Sequence, residues 1–313
     1  MLRAEFRNCS ELKHGTMIEN CIMKKNKSLL LIDLGGTKIR YLHYHQNSEQ
    51  DSHTTNSPRS QTELISFLRE LYKHYQSDQI YLGVPGPMPL DCAKTNDIFL
   101  PPLKFSLNIN DLTLTKPTDS KLFIANDMFS YAGLLKKSLK NKIGVLAIGT
   151  STGFGTYKLK NNELEFHSFE VAHEKANRYM PVKACYNVNE ILSGTALDTT
   201  NLVNALMQEN IHNYNLNFTF MIECFCSKIA MTQGVNDIYL VGGGLLKAYG
   251  KEFVQSSEIK YLIINCQRLG IKLKVVSDAF NYLLESAKML KEHDSNIAGT
   301  GVLGSKQYGN FDF

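Results

Sequence analysis

The 313-residue sequence lacks any apolar run long enough to cross a membrane, since a spanning helix needs roughly 18–20 such residues. It also has little net charge: 34 basic residues against 30 acidic ones give +4, spread along the chain. So weak an excess provides no footprint for nucleic acid or an anionic membrane. At 43% hydrophobic residues, the composition excludes disorder for most of the chain.

Cysteines are few and scattered. There are seven, an odd number, which argues against a disulfide framework and predicts reduced thiols in a cytoplasmic protein. Cys224 and Cys226 lie in an apolar helical stretch where alternate residues point apart, so buried thiols are favoured over a zinc site. Residues 1–27 carry charges and no apolar secretory segment; we expect a loosely attached extension there.

Hydrophobic patterning predicts an α/β fold with an internal repeat. A strand at Ser28–Leu34 leads through a Gly-Gly-Thr turn into a returning strand at 38–45. A strand at Lys142–Ile148 leads through GTSTGFG at 149–155 into another returning strand, Thr156–Leu159. Two related halves with mixed sheets are therefore expected.

The remaining elements follow from periodicity and turn residues. Further strands are predicted at Ile80–Val84, Lys121–Ala125, Asp237–Val241 and Lys272–Val276. Helices are predicted at Thr62–Tyr75, Asp127–Lys137, 193–208, 216–233, 279–291 and 295–304. A loop is expected at 46–60 and irregular structure at 92–118.

The two glycine- and threonine-rich turns are typical of phosphate binding. Glycines let backbone amides approach an anion, and threonine hydroxyls add donors. Asp33 precedes the first turn, where a carboxylate would repel phosphate unless a cation lay between them; this favours magnesium, held through water. An ordinary tight hairpin is the alternative. Neither turn has the Walker or G-x-G-x-x-G pattern.

Three other groups are candidates for chemistry. The triple glycine at Gly242–Gly244 follows a strand and opens a helix, which suits a ligand or simply close packing. Asn126 and Asp127 end a strand, where a carboxylate can act as a base or cap the next helix. Glu170 and His173 could bind sugar hydroxyls or be ordinary surface residues.

Taken in order, these segments resemble the bacterial glucokinases and the wider repressor–ORF–kinase (ROK) sugar kinases of the actin-like ATPase superfamily. The resemblance covers about residues 28–307. Its motifs are IDLGGTKIR at 32–40, GVPGP at 83–87, TND at 95–97, IANDMFSYA at 124–132, GTSTGFG at 149–155, FEVAHE at 169–174, ILSGTAL at 191–197, LVGGG at 240–244 and GTGVLG at 299–304.

The resemblance implies two RNase H-like domains with an interdomain cleft: a smaller one at 28–125 and a larger one at 126–313, whose C-terminal helix packs back on the first. Asp127 would be the catalytic base. Sugar contacts would come from Asn96, Asn126, Asp127, Glu170, His173 and Glu190. Magnesium-ATP would be held by Asp33, Gly35, Gly36, Thr37, Lys38, Thr150, Thr152, Gly153, Gly242, Gly243 and Gly244, with Asp33 as the magnesium residue.

The chain departs from the family pattern at several positions. Phe169 and Ala172 replace glycines beside Glu170 and His173, and the family's clustered zinc cysteines are missing, so no zinc is expected. The family's further sugar-binding Glu falls on Asn189, with Glu190 beside it. If Glu190 reaches the sugar, glucose is favoured; if Asn189 does, an amino or N-acyl hexose becomes plausible.

Three functions are therefore carried forward. The first is an ATP-dependent hexokinase, with glucose as the sugar. The second is a kinase of an amino or N-acyl hexose, and the third is a catalytically weak sugar-binding regulatory protein. No nucleic-acid or membrane partner is expected. The oligomeric state is left open, a homodimer included.

Overall fold

The computed structural model describes residues 28–45, 51–86, 97–138, 142–160, 163–194, 196, 214–245, 253–276, 282–286 and 301–302. The extension at 1–27, the proposed sugar residue Asn96 and most of the helix expected at 193–208 lie outside these residues. Within the described ranges, no helix is long and apolar enough to cross a membrane.

The secondary structure alternates strands and helices. The strands are β1 (Leu29–Leu34), β2 (Lys38–Tyr44), β3 (Asp51–Asn56), β4 (Gln79–Val84), β5 (Asp97–Leu100), β6 (Phe105–Asn108), β7 (Lys121–Asn126), β8 (Lys142–Ile148), β9 (Thr152–Lys160), β10 (Glu163–Phe169), β11 (Asp237–Val241), β12 (Lys272–Val275) and β13 (Gly301–Val302). The α-helices are α1 (Gln61–Tyr75), α2 (Ile109–Thr115), α3 (Val188–Leu192), α4 (Tyr214–Gln233) and α5 (Ser257–Arg268). Short 3₁₀ helices occupy Val171–His173, Ala176–Arg178 and Phe253–Gln255, and a longer one, here called the central helix, spans Asp127–Lys137.

The strands form two main sheets that share one topology. The first has the order β13-β7-β4-β1-β2-β3, the second has the order β10-β9-β8-β11-β12, and β5 pairs with β6 separately. In both sheets an antiparallel three-strand meander continues into parallel strands: β1 with β4 and β7, and β8 with β11 and β12. The expected α/β fold with two related halves and mixed sheets is confirmed.

The central helix lies between the sheets. The ring of Phe129 stacks on Tyr81 of the first sheet at 6.2 Å and meets Phe166 of the second sheet edge-on at 5.4 Å. The buried Tyr157 hydroxyl of β9 donates to the Met128 carbonyl. One continuous apolar cluster thus joins the sheets through this helix, and its burial stabilises their junction.

The outer faces of the sheets are covered by α-helices. In α1, which the sequence predicted to within one residue, Ser60 accepts from the Glu63 amide, and the Glu63 carboxylate accepts from the Arg59 amide. Leu64 and Leu68 then recur at helical spacing and pack on the first sheet. The helices α4 and α5 contribute in the same way to the core on the second sheet.

Several sequence-based expectations are corrected. The loop expected at 46–60 contains β3, whose exposed polar residues have no hydrophobic alternation; it forms by pairing with β2 at the sheet edge. The irregular stretch expected at 92–118 contains β5, β6 and α2, the last capped by the Asn108 side chain. The helix expected at 295–304 is wrong at 301–302, which form β13 beside β7.

The segment 282–286, described as helical, docks on the central helix. The Ser286 hydroxyl accepts from the Gly133 amide at 2.7 Å and donates to the Ser130 carbonyl at 2.5 Å. A Cβ at Gly133 would overlap the backbone nitrogen of Ser286. Glycine at 133 is therefore required for this close approach.

We expect Gly133→Ala to destabilise the protein by about 1–3 kcal/mol, as overpacking of a tight contact does. The measurement is the free energy of unfolding from urea denaturation. The matched control is Gly243→Ala, because nothing lies within 4 Å of a Cβ there. Equal stability of the two variants would contradict the close packing of 282–286.

Candidate active site

The two glycine-rich turns meet across the junction of the sheets. The hydroxyl oxygens of the exposed Thr37 and the half-buried Thr150 lie 3.1 Å apart, although the residues are 113 positions apart in sequence. A Cβ at Gly36 would lie 2.8 Å from Pro102 Cβ and 3.5 Å from Thr150. In the first turn the Gly35 amide donates to the Lys38 carbonyl, and the Lys38 side chain is exposed. Paired hydroxyls beside glycine backbone fit an anion such as phosphate.

The triple glycine is placed against the second turn. Gly242 has φ +119°, and a Cβ there would overlap the Ile148 carbonyl oxygen. At Gly244 a Cβ would lie 2.8 Å from the same oxygen, whereas Gly243 faces open space. Gly242 and Gly244 are therefore needed for strand–helix packing, and Gly243 is the member with room for a ligand.

A neighbouring loop supports the second turn. The Gly194 amide donates to the Gly149 carbonyl at 2.6 Å, and the Thr152 amide donates to Asn189 Oδ1 at 3.0 Å. Thr152 is 3% exposed, and a Cβ at Gly153 would lie 2.7 Å from the Met128 sulfur. The second turn is thus packed directly against the start of the central helix.

The proposed sugar residues Asn126, Asp127 and Glu170 converge where the central helix begins. Asn126, not Asp127, is the N-cap: its Oδ1 accepts from the Met128 amide at 3.0 Å. Asn126 Nδ2 donates to the Gly86 carbonyl at 2.8 Å and to Glu170 Oε1 at 3.4 Å. Because Asn126 takes over capping, the half-buried Asp127 carboxylate remains available for chemistry.

The electrostatics of this site raise the pKa values of its carboxyls. Burial raises the pKa of Asp127 well above its usual value, and the nearby carboxylates of Asp33 and Glu170 raise it further. Backbone N–H groups of Met128 and Asp127 oppose the shift. Burial also raises the pKa of Glu170 to about 7. A carboxyl whose pKa approaches neutrality is suited to proton transfer.

Asp33 is placed differently from the cation-facing residue that the sequence suggested. Its side chain is 6% exposed, and its Oδ2 accepts from Arg40 Nη1 and from the Tyr282 hydroxyl, both at 3.4 Å. Burial raises the pKa of Asp33 although Arg40 opposes the shift. A magnesium role for Asp33 stays a prediction.

Sequence reasoning did not identify Arg40 and Tyr282 as residues of this site. Arg40 lies directly opposite Asp33 in the β1–β2 register, so the Gly-Gly-Thr hairpin could have indicated that pairing. Nothing local could have indicated Tyr282, since it is 249 residues from Asp33.

The other predicted sugar residues are less engaged in the cleft. His173 is exposed, one 3₁₀ turn after Glu170, so both project from one side of that turn. The Glu190 carboxylate accepts from the Asn187 amide at 2.8 Å, completing the cap of α3. Asn189 Oδ1 accepts from the Thr152 amide, so each candidate for the further sugar contact already has a backbone partner.

Metal-binding side chains do not cluster in the described part of the chain: no group of three or more His, Cys, Asp or Glu residues could hold an ion. Cys226 and Cys266 are buried, Cys224 is half-buried and Cys185 is exposed. The absence of zinc and the use of magnesium stay predictions.

Comparison with known proteins identifies the fold. The chain matches a glucokinase from Balamuthia mandrillaris, solved with glucose, at a TM-score of 0.63 and 13% identity, over 85% of this chain and 94% of that chain. It matches a ROK hexokinase from Thermus thermophilus at a TM-score of 0.57 and 16% identity, over 85% and 99%. A ROK glucokinase from Streptomyces griseus, solved with glucose and AMPPNP, gives 0.57 and 12%, over 84% and 98%.

At these identities the likeness shows the fold alone, which this chain shares with the solved glucokinases and the ROK hexokinase. The resemblance noted in the motifs is confirmed at that level. Neither a protein-family model nor a curated protein sequence matches the chain.

The raised pKa of Glu170 predicts a pH-dependent stability. Because its pKa rises on folding to about 7, the folded state binds this proton more tightly, and stability is lost as pH rises through 7. We expect Glu170→Gln to raise Tm at pH 8 by about 2–4 °C, the shift that about 1 kcal/mol produces in a chain of this size. At pH 5 the gain should be much smaller, because the folded wild type is protonated there and pH 5 lies only slightly above the unfolded pKa of 4.5.

The measurement is thermal unfolding at both pH values. Glu70→Gln on the exposed face of α1 is the matched control and should change Tm at neither pH. A gain for Glu170→Gln that is equal at pH 5 and pH 8 would rule out titration of this carboxyl as its cause.

Proposed function

We propose that this protein is an ATP-dependent hexose kinase that phosphorylates the C6 hydroxyl of glucose. The observation that carries the proposal is Asp127, a half-buried carboxyl with a raised pKa at the start of the central helix, beside the two facing turns. The fold shared with glucokinases supports the same reaction class.

In this reaction Asp127 accepts the proton of the sugar hydroxyl as its oxygen attacks the terminal phosphorus of ATP. The bond from that phosphorus to the bridging oxygen breaks, and ADP leaves. Asn126 and Glu170, already joined by a hydrogen bond, would hold neighbouring hydroxyls together with His173. Holding both reactants in line supplies much of the acceleration, because it removes the entropy of a chance encounter.

The phosphates would lie between the two turns, where Thr37, Thr150 and the glycine amides supply donors and Lys38 supplies charge. The nucleoside would lie by Gly243, which faces open space. Magnesium, when bound, neutralises phosphate charge.

A second sugar class is favoured by one observation. Both residues expected to supply the further sugar contact are engaged by backbone amides: Asn189 by Thr152 and Glu190 by Asn187. The sugar position they were expected to read would then be less tightly specified. A kinase of an amino or N-acyl hexose is therefore the alternative.

We expect Asp127→Asn to lower kcat by about 10²–10⁴-fold, the usual contribution of a general base, while sugar binding survives. The amide keeps the side-chain shape but cannot accept the proton. Steady-state kinetics and calorimetric sugar titration measure the two effects. Asp119→Asn, on an exposed turn, is the matched control. More than about half of wild-type turnover in Asp127→Asn would exclude the base role.

Specificity is tested by kcat/KM for glucose, mannose, N-acetylglucosamine and N-acetylmannosamine. We expect glucose to be preferred, because a site that bonds a hydroxyl rejects an analogue lacking it by as much as ~10⁴-fold. A tenfold preference for another hexose would favour the second sugar class. Sugar binding without turnover on any hexose would favour a regulatory binding protein.

A further inference from the structure

The segment 282–286 reaches the end of β1, where the first phosphate turn begins. Tyr282 is 3% exposed, and its hydroxyl donates to Asp33 Oδ2 at 3.4 Å. Arg40 Nη1 donates to the Tyr282 hydroxyl at 3.3 Å and to the same Asp33 oxygen at 3.4 Å. These three side chains form a closed triangle, here called the Arg40–Asp33–Tyr282 network.

The same segment is attached to the central helix. The Tyr282 ring lies 4.3 Å from the ring of Tyr131, centroid to centroid. Four residues later, Ser286 bonds both the Gly133 amide and the Ser130 carbonyl. Tyr282 therefore connects the end of β1 to the helix whose first residue is Asp127.

We propose that Arg40 and Tyr282 are positioning residues that set the first phosphate turn against Asp127. This inference rests on the proposed kinase function. Asp33 stands two residues before Gly35, so a carboxylate held from two directions fixes the path of the backbone into the turn. Because Tyr282 is also fixed to the central helix, the spacing between the phosphate donors and Asp127 depends on it.

A buried network of this kind could serve stability alone or could position the phosphate turn. Tyr282→Phe separates the structural role from the positioning role. Phenylalanine keeps the ring contact with Tyr131 and removes only the hydroxyl, which reaches Asp33 and Arg40 and also bonds the Tyr131 side chain. A structural role predicts a lower Tm with unchanged kinetics. A positioning role predicts a selective defect in the use of ATP, because a displacement of about 1 Å at a reacting group can cost ~10²-fold in rate.

We expect Tyr282→Phe to lower kcat/KM for ATP about tenfold while the Kd for the sugar stays unchanged. Arg40→Met should produce a larger defect, and Arg40→Lys should restore part of it, because lysine keeps the charge but not the planar donor fork. A fluorescent ATP analogue titrated in EDTA gives a second readout that needs neither turnover nor magnesium. There we expect affinity to fall about three- to tenfold in Tyr282→Phe.

Tyr72→Phe is the matched control, since Tyr72 is 1% exposed in α1 and its hydroxyl has no hydrogen-bond partner among the described residues. Arg178→Met controls for loss of an arginine from an exposed pair. Wild-type ATP parameters in both Tyr282→Phe and Arg40→Lys would overturn the proposal, as would an equal loss of sugar and nucleotide affinity. If the wild type phosphorylates no hexose, the kinase proposal fails, while the nucleotide titration still tests the positioning role.

Discussion

Phe129 packs against both sheets at once, and the placement of the candidate active site depends on that contact. It stacks toward Tyr81 on one side and meets Phe166 on the other, so the central helix cannot shift without opening the core. Its N-terminus is fixed as well, because Tyr157 holds the Met128 carbonyl and Asn126 caps the helix. Asp127 is thereby placed by packing between the two halves, and neither sheet alone would define its position.

The parts of this arrangement that the sequence predicted are those encoded locally. The apolar runs of β1 and β8, each ending in glycine and threonine, define a strand and its turn within about ten residues. The repetition of that pattern indicated two related halves, and each sheet indeed has a meander followed by parallel strands. Leu64 and Leu68 made α1 predictable for the same reason, since helical periodicity is a short-range signal.

The features that sequence reasoning missed depend on distant partners or on polar residues with no periodicity. β3 is exposed throughout and owes its conformation to β2. Glu190 was expected at the sugar because of its place in a motif, yet its carboxylate completes the cap of α3. The spacing of Asn187 and Glu190 is that of a capping box, so the sequence did indicate this competing role. The hydrogen bond between Tyr282 and Asp33 joins residues 249 positions apart, and no local sequence pattern indicates it.

Three carboxyls in one partly buried cleft oppose folding near neutral pH, because burial and mutual repulsion both disfavour their charged forms. Arg40 forms an ion pair with one of them, Asp33. The carboxylates of Asp33 and Glu170 still raise the pKa of Asp127. A fold selected for stability alone would replace such groups with apolar ones. Carboxyls with raised pKa values beside facing threonines and open glycine backbone suit the proposed phosphoryl transfer to a hydroxyl, which needs a proton acceptor on one side and anion-binding donors on the other.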